Sequence, residues 1–199
     1  LDLPTFREFM GETQPTLVDA LDLDGDSPTT HKFLARLQGE ITKHGIVACL
    51  RNGVTHGPHR VDLYYPTPVA HNAKAAEQFA SNRLTITRQV HFSASATGKS
   101  LDLVAFVNGL PIATFELKNQ ITTQTVEDAV KQYKTDRDPR EPIFTFGRCM
   151  VHFAVDDHHV RFCTQLAGTA SWFLPFDQGN NGGAGNPINP DGVMTDYLW

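Results

Sequence analysis

The sequence lacks several features that would mark a specialised class of protein. It has only three cysteines, Cys49, Cys149 and Cys163, too few and too widely spaced for a disulfide scaffold. No apolar run approaches the roughly 18 residues of a membrane helix, and the N-terminus lacks the pattern of a signal peptide. We therefore expect a protein of the reducing cytoplasm that has no membrane association.

An excess of basic residues is also missing. The 17 lysines and arginines are outnumbered by 22 aspartates and glutamates, so the formal net charge is −5. This charge excludes a domain that holds nucleic acid by its overall positive field, but it leaves room for a local positive groove. With 40% hydrophobic and 20% charged residues, the composition predicts a globular protein of about one domain.

The sequence starts at Leu1 without an initiator methionine and stops at Trp199, and we expect it to be part of a longer chain. Residues 1–30 hold three prolines and an acidic run, which favour an N-terminal arm. Residues 31–178 carry the patterned segments of a folded domain. Residues 179–199 are rich in glycine, asparagine and proline and are interpreted as a linker.

Hydrophobic periodicity predicts an α/β or α+β domain with a mixed sheet, and we take α/β as the fold class. Helical spacing covers residues 31–44, 70–82 and 125–136, with Thr125 as the N-cap of the last helix. The predicted strands cover residues 46–50, 60–65, 84–92, 101–107, 110–118, 150–155 and 160–166. Asn108-Gly109 between two apolar runs is a strong hairpin signal.

Three charged residues interrupt the otherwise apolar strands of this central hairpin: Asp102, Glu116 and Lys118. Glu116 and Lys118 are two positions apart and therefore share a face of their strand. Asp102 and Glu116 are at nearly equal distances from the turn, so we expect their carboxylates to lie close together, subject to register.

Two adjacent carboxylates suit Mg²⁺, which binds one or two of them and completes its shell with water and phosphate. A lysine beside them could position the attacking water and offset charge during phosphodiester hydrolysis. The alternative interpretation is a buried ion pair between Asp102 and Lys118, with Glu116 at a hydrated edge. Spacing alone leaves both open.

Asp102 followed 14 residues later by Glu116-Leu117-Lys118 resembles the PD-(D/E)xK nuclease superfamily. The surrounding segments 101–111 and 115–119 resemble the nuclease domain of the restriction subunit of Type I restriction-modification enzymes, usually called HsdR. The likeness continues through residues 126–133 and 146–148 and into the Gly-Asn-rich segment that ends at Trp199.

The resemblance implies a PD-(D/E)xK (restriction-endonuclease-like) core, a central mixed β-sheet flanked by helices, in a Mg²⁺-dependent endonuclease in which Mn²⁺ can replace Mg²⁺. It makes Asp102 and Glu116 metal-binding carboxylates, the Leu117 carbonyl a further ligand and Lys118 the catalytic lysine. The family often has Gln-x-x-x-Tyr in the next helix. Here Gln132 is in place but position 136 is Asp, so Gln132 and the nearby Tyr133 are the candidates for DNA handling.

The resemblance also implies a type I site-specific deoxyribonuclease that acts on DNA together with modification and specificity subunits. The linker would lead to a motor domain of the same polypeptide, and ATP would be used by that motor and not bound by this chain. Basic residues on or just after the helix at 125–136 could follow a DNA backbone: Lys131, Lys134, Arg137 and Arg140. The alternatives are a docking module with little activity of its own and, with less support, a stand-alone repair nuclease.

Overall fold

A computed structural model describes residues 1–69, 71–119, 121, 123–183 and 185–187. Within these residues the helices are α1 (Leu3–Thr13), α2 (Pro15–Leu21), α3 (Pro28–His44), α4 (Ile46–Asn52), α5 (Ala73–Ala80) and α6 (Val126–Thr135). The strands are β1 (Val54–His56), β2 (His59–Val61), β3 (Leu84–His91), β4 (Ser100–Val107), β5 (Leu110–Leu117), β6 (Val151–Val155), β7 (Val160–Cys163) and β8 (Leu174–Pro175). The predicted α/β class is confirmed.

Six of the strands form one sheet in the order β3-β4-β5-β6-β7-β8. β5 and β6 are parallel, with Glu116 opposite Ala154, whereas β6 pairs antiparallel with β7, and β7 with β8. The sheet is therefore mixed, as the sequence predicts. β1 and β2 form a separate antiparallel hairpin.

The chain divides into two compact units, and the first comprises residues 1–86 and 105–112. Residues 1–30 form helices here instead of the expected arm. Phe6, Phe9 and Met10 have no exposed surface and join Phe33 of α3 in the hydrophobic core. The prolines at positions 4, 15 and 28 each lie in the first turn of a helix, where a missing N–H costs nothing.

The predicted strand at residues 46–50 is wrong, because this segment is helix α4. Gly45 ends α3 with a positive φ of 81°, and α4 starts at the next residue. Ile46 and Cys49, one helical turn apart, are the buried positions of α4. A short, uninterrupted apolar run has no period of its own, which is why the sequence could not separate strand from helix.

The Asn108-Gly109 turn joins β4 to β5 and is anchored within the first unit. Both residues have positive φ, 50° and 79°, as a two-residue hairpin turn of the primed type requires. The buried Asn108 side chain accepts from the Arg83 N–H at 2.7 Å and donates to the Leu63 carbonyl at 2.9 Å. A Cβ on Gly109 would lie 2.3 Å from the Asp2 carbonyl oxygen, so only glycine fits there.

The second unit comprises residues 87–104 and the described part of 113–199. Helix α6 begins where Asp156, from the turn between β6 and β7, accepts the Val126 N–H at 2.8 Å. The same carboxylate accepts the N–H groups of His158 and His159, at 2.8 and 2.7 Å. One buried side chain thus fixes both the start of α6 and the β6–β7 turn.

Some of the remaining sequence predictions are confirmed, one strand is shorter than predicted, and one segment lies largely outside the described residues. The helices around residues 31–44, 70–82 and 125–136 are confirmed with shifted ends, and so are β3, the central hairpin and the β6–β7 hairpin. The strand predicted at 60–65 shortens to His59–Val61. Most of the predicted linker, 179–199, lies outside the described residues. No helix in the described ranges is both long and apolar enough to cross a membrane.

Candidate active site

The structure brings Asp102 of β4 to the end of β5, beside Glu116. The Leu117 N–H donates to Asp102 Oδ2 at 2.8 Å. Asp102 Oδ1 accepts a longer bond from the Gln89 amide, at 3.3 Å. Asp102 is partly exposed, whereas Glu116 has no exposed surface. Asp102 therefore lies against the residue that follows Glu116, where its carboxylate acts on the pKa of Glu116.

The Leu117 carbonyl faces the side of β5 on which the Asp102 carboxylate lies. The Lys118 N–H donates to the Val155 carbonyl of β6 at 2.8 Å. Because the C=O and N–H of a trans peptide point in opposite directions, the Leu117 carbonyl points away from β6. It therefore lies on the side where the Leu117 N–H meets Asp102.

Glu116 is bound by Arg137, which follows the C-terminus of α6. The Arg137 Nε and Nη2 atoms both approach Glu116 Oε1, at 2.7 and 2.6 Å. The second carboxylate oxygen, Oε2, is buried and has no hydrogen-bond partner among the described residues. A buried carboxylate oxygen without a partner is costly, and such an atom is suited to a metal ion.

Burial raises the pKa of the Glu116 carboxyl to about 7. The Arg137 guanidinium acts in the opposite direction, and the nearby Asp102 carboxylate adds to the increase because two like charges disfavour ionisation. A divalent cation between the two carboxylates would favour the ionised form of both.

Lys118 is held by helix α6. Its Nζ donates to the Gln132 side-chain oxygen at 2.7 Å, and both side chains are partly exposed. Among the described residues no ion pair joins Asp102 to Lys118, so the alternative interpretation of a buried Asp–Lys pair is not supported. The buried ion pair here is Glu116–Arg137 instead.

Tyr133 lies in the core of the second unit. It has no exposed surface, and its hydroxyl is hydrogen-bonded to Thr114 at 2.8 Å. Thr114 is in turn bonded to the His152 Nδ1 at 2.8 Å. This burial leaves Tyr133 no surface with which to contact DNA, whereas Gln132 stays accessible beside Lys118.

Comparison with known proteins places this chain in a family. The family model described as Type I restriction enzyme R protein N terminus matches residues 32–171, which is more than half of the chain. The chain belongs to this family. The matched range of the R-protein N-terminal region includes Asp102, Glu116, Lys118, Gln132 and Arg137.

Two curated relatives are named as endonuclease subunits of type I restriction enzymes, one of them as putative. The chain is 30% identical over 102 residues to the Type I restriction enzyme HindI endonuclease subunit of Haemophilus influenzae. It is 38% identical over 50 residues to the putative type I restriction enzyme MjaIXP endonuclease subunit of Methanocaldococcus jannaschii. These alignments cover 50% and 25% of this chain, but only 9% and 5% of the relatives.

Arg137 is the site residue that sequence reasoning missed in this R-protein N-terminal region. The sequence offers it as one of four basic residues that could follow a DNA backbone, but its side chain is 5% exposed and paired with Glu116. The available signal was the cost of a buried carboxylate, which demands a positive partner. The sequence holds several arginines that could pair with Glu116, and the position of α6 in the structure identifies Arg137 as the partner.

The donor set at this site fits a hard cation. Three oxygens could serve as ligands: Asp102 Oδ1, Glu116 Oε2 and the Leu117 carbonyl. Within the described part of the chain, no group of three or more His, Cys, Asp and Glu side chains could hold a metal ion. Two carboxylates and a carbonyl, with water completing the shell, match the preference of Mg²⁺ rather than that of zinc.

Proposed function

We propose that the chain is the Mg²⁺-dependent endonuclease domain of a Type I restriction enzyme and that it hydrolyses DNA phosphodiester bonds. The observation that carries the proposal is that the Asp102 carboxylate lies at Leu117, next to Glu116, while Glu116 Oε2 is buried and has no hydrogen-bond partner among the described residues. The family membership supports the same conclusion. The PD-(D/E)xK fold assignment is part of the proposal.

In this proposal Asp102 and Glu116 hold the cation, and the Leu117 carbonyl adds a ligand. When bound, the ion lowers the pKa of a coordinated water and offsets charge on the scissile phosphate. Mn²⁺ can serve in its place. Asp102 keeps its orientation through the Leu117 N–H, so the ligand on β4 is fixed by the backbone of β5.

Lys118 supplies the positive charge on the side of the site that stays accessible. Its Nζ, held by Gln132, would orient the attacking water and stabilise negative charge that develops on the phosphate. Gln132 then has two roles in the proposal, as the support of Lys118 and as a contact for DNA.

The wider assembly is also proposed by analogy with the relatives. Modification and specificity subunits and a motor domain of the same polypeptide would act with this domain on DNA in the cytoplasm. ATP would be hydrolysed by the motor and not in this chain.

The test is DNA cleavage by the complete enzyme after substitution of the site. Glu116→Gln and Lys118→Ala should each abolish cleavage, because one removes a ligand charge and the other the accessible cation, while ATP hydrolysis continues. Glu127→Gln on α6 and Lys43→Ala on α3, both at exposed positions, are the matched controls and should cut like the wild type. Cleavage retained by Glu116→Gln would overturn the proposal.

A second candidate is a docking module without nuclease activity. The observation that favours it is that Arg137 already neutralises the wholly buried Glu116. A titration with Mn²⁺ separates the two: binding that is lost in Glu116→Gln supports the nuclease, and no binding in the wild type supports the docking module.

A further inference from the structure

Three neighbouring residues hold the Arg137 side chain in place. Nε donates to Glu116 Oε1, Nη2 lies 2.6 Å from the same oxygen and donates to the Ser100 carbonyl at 2.9 Å, and the guanidinium lies 5.4 Å from the centre of the Phe92 ring. This distance is within the range of a cation–π contact. The guanidinium therefore has one place in the fold and is not a mobile surface charge.

Both Arg137 donors converge on the same oxygen of Glu116. Nε and Nη2 of Arg137 both contact Oε1, whereas Oε2 has no hydrogen-bond partner within the described ranges. Exchanging the two oxygens by rotation would break the charge-assisted hydrogen bond from Nε and the close ion-pair contact with Nη2. The pair therefore gives the carboxylate one defined orientation.

We propose that Arg137 is a positioning residue, which holds Glu116 by Oε1 so that Oε2 is presented to the divalent cation. The inference rests on the proposed function. Arg137 would remain in place when the cation binds, because withdrawing it would leave a buried guanidinium and a buried carboxylate each without its partner. It touches neither the cation nor DNA and acts only through Glu116.

The direction in which cation affinity changes distinguishes a positioning role of Arg137 from a purely electrostatic effect of its charge. Removing a positive charge near a cation site would, by Coulomb's law alone, strengthen cation binding. If Arg137 positions the ligand, its removal weakens binding instead. Loss of a residue that orients a metal ligand typically lowers metal affinity by about 10- to 100-fold.

The experiment is a titration of the metal-free protein with Mn²⁺, in which free Mn²⁺ is measured by electron paramagnetic resonance. Arg137→Gln is compared with Arg137→Lys and with the control Arg140→Gln. Arg140 carries the same charge three positions further on, has a side chain 90% exposed, and pairs with Asp138. The control therefore removes one positive charge without disturbing Glu116.

We expect Arg137→Gln to weaken Mn²⁺ binding at each site by about 10- to 100-fold. Arg137→Lys should fall between it and the wild type, since a lysine keeps the charge but lacks the rigid, planar guanidinium that contacts Glu116 and Ser100 together. Arg140→Gln should bind like the wild type. A misfolded fraction would lower the number of sites titrated, whereas a misplaced ligand raises the dissociation constant of every site.

Unchanged or tighter binding in Arg137→Gln, while Glu116→Gln abolishes binding, would overturn the positioning role and leave the proposed function standing. If Arg137→Gln does not fold, Arg137→Lys decides, and an affinity equal to that of the wild type overturns the role. A wild type that binds no Mn²⁺ would overturn both proposals.

Discussion

Among single residues, His152 is the clearest case of burial that controls protonation. It is 2% exposed, and burial lowers its pKa from 6.5 to about 4. Between these two values the unfolded chain binds more protons at this position than the folded chain does. Stability contributed by neutral His152 is therefore lost as the pH falls from about 6.5 to 4.

Replacing His152 with Asn should flatten this part of the stability profile, because asparagine does not titrate. Between pH 7 and pH 4, the wild type should lose up to about 3 kcal/mol more unfolding free energy than the variant. Urea unfolding of metal-free protein at several pH values measures this. His59→Gln in β2 is the control, and a profile of His152→Asn parallel to the wild type would contradict the prediction.

Glu116 contributes in the opposite direction over an overlapping range. Its pKa is raised from 4.5 to about 7, so the folded state binds the extra proton and stability falls as the pH rises through that range. The two contributions oppose each other between about pH 4.5 and 6.5. The informative quantity is therefore the difference between wild type and variant and not the wild-type profile alone.

The sequence predicts the chemistry of single residues better than their partners. Asp102, Glu116 and Lys118 stand out because charged side chains interrupt apolar strands. Arg137 does not stand out, since its partner lies 21 positions away and is reached only after α6 packs on the sheet. Tyr133 was assigned to DNA from its place beside Gln132, but the turn of the helix directs it inward.

At the scale of elements, Asp156 controls where α6 starts. Asp156→Ala removes the acceptor of three backbone N–H groups and should lower the unfolding free energy by about 2 kcal/mol or more. Asp156→Asn keeps one acceptor oxygen and should lose less. Denaturant unfolding measures both, and equal losses in the two variants would contradict the capping role.

The turn between β4 and β5 offers a matched pair of glycines. Gly109→Ala should cost at least about 2 kcal/mol, because an alanine there has unfavourable positive φ and its Cβ would strike the Asp2 carbonyl. Gly39→Ala, in α3 with nothing within 4 Å, should be neutral or stabilising by up to about 1 kcal/mol. Thermal unfolding compares them, and similar losses at both positions would refute the close approach at Gly109.

The sequence identifies elements where one signal dominates. Asn108-Gly109 predicts the hairpin and Thr125 predicts the start of α6, because each of these signals requires a specific backbone geometry. The segment at 46–50 was misassigned because apolar residues without periodicity suit either conformation. In residues 1–30, three prolines suggested an arm, although each is at a helix start.

For the whole molecule, the net charge of −5 sets a limit on DNA affinity. We expect this chain alone to bind non-specific duplex DNA more weakly than about 10 µM at physiological salt without metal. Replacing Asp102 with Asn and Glu116 with Gln changes the charge from −5 to −3 and should tighten binding. Fluorescence anisotropy measures both, and submicromolar binding by the wild type would contradict the limit.

The mixed sheet and the α/β class could be predicted from the sequence because the alternation of helices and strands is itself a local pattern. The division into two compact units could not, since it depends on long-range packing. The family model matches residues 32–171, so the candidate site and helix α6 lie in a region shared with the R proteins.

The hydrogen bond from the Leu117 N–H to Asp102 has a consequence for how the site assembles during folding. It joins residues only 15 positions apart, so closing the hairpin already brings the two carboxylates together. Such short loops close early, whereas the Arg137 guanidinium arrives only when α6 docks. In a hairpin that forms before α6 docks, the two like charges would face each other without the Arg137 guanidinium, and we expect dissolved divalent cations or salt to favour that stage.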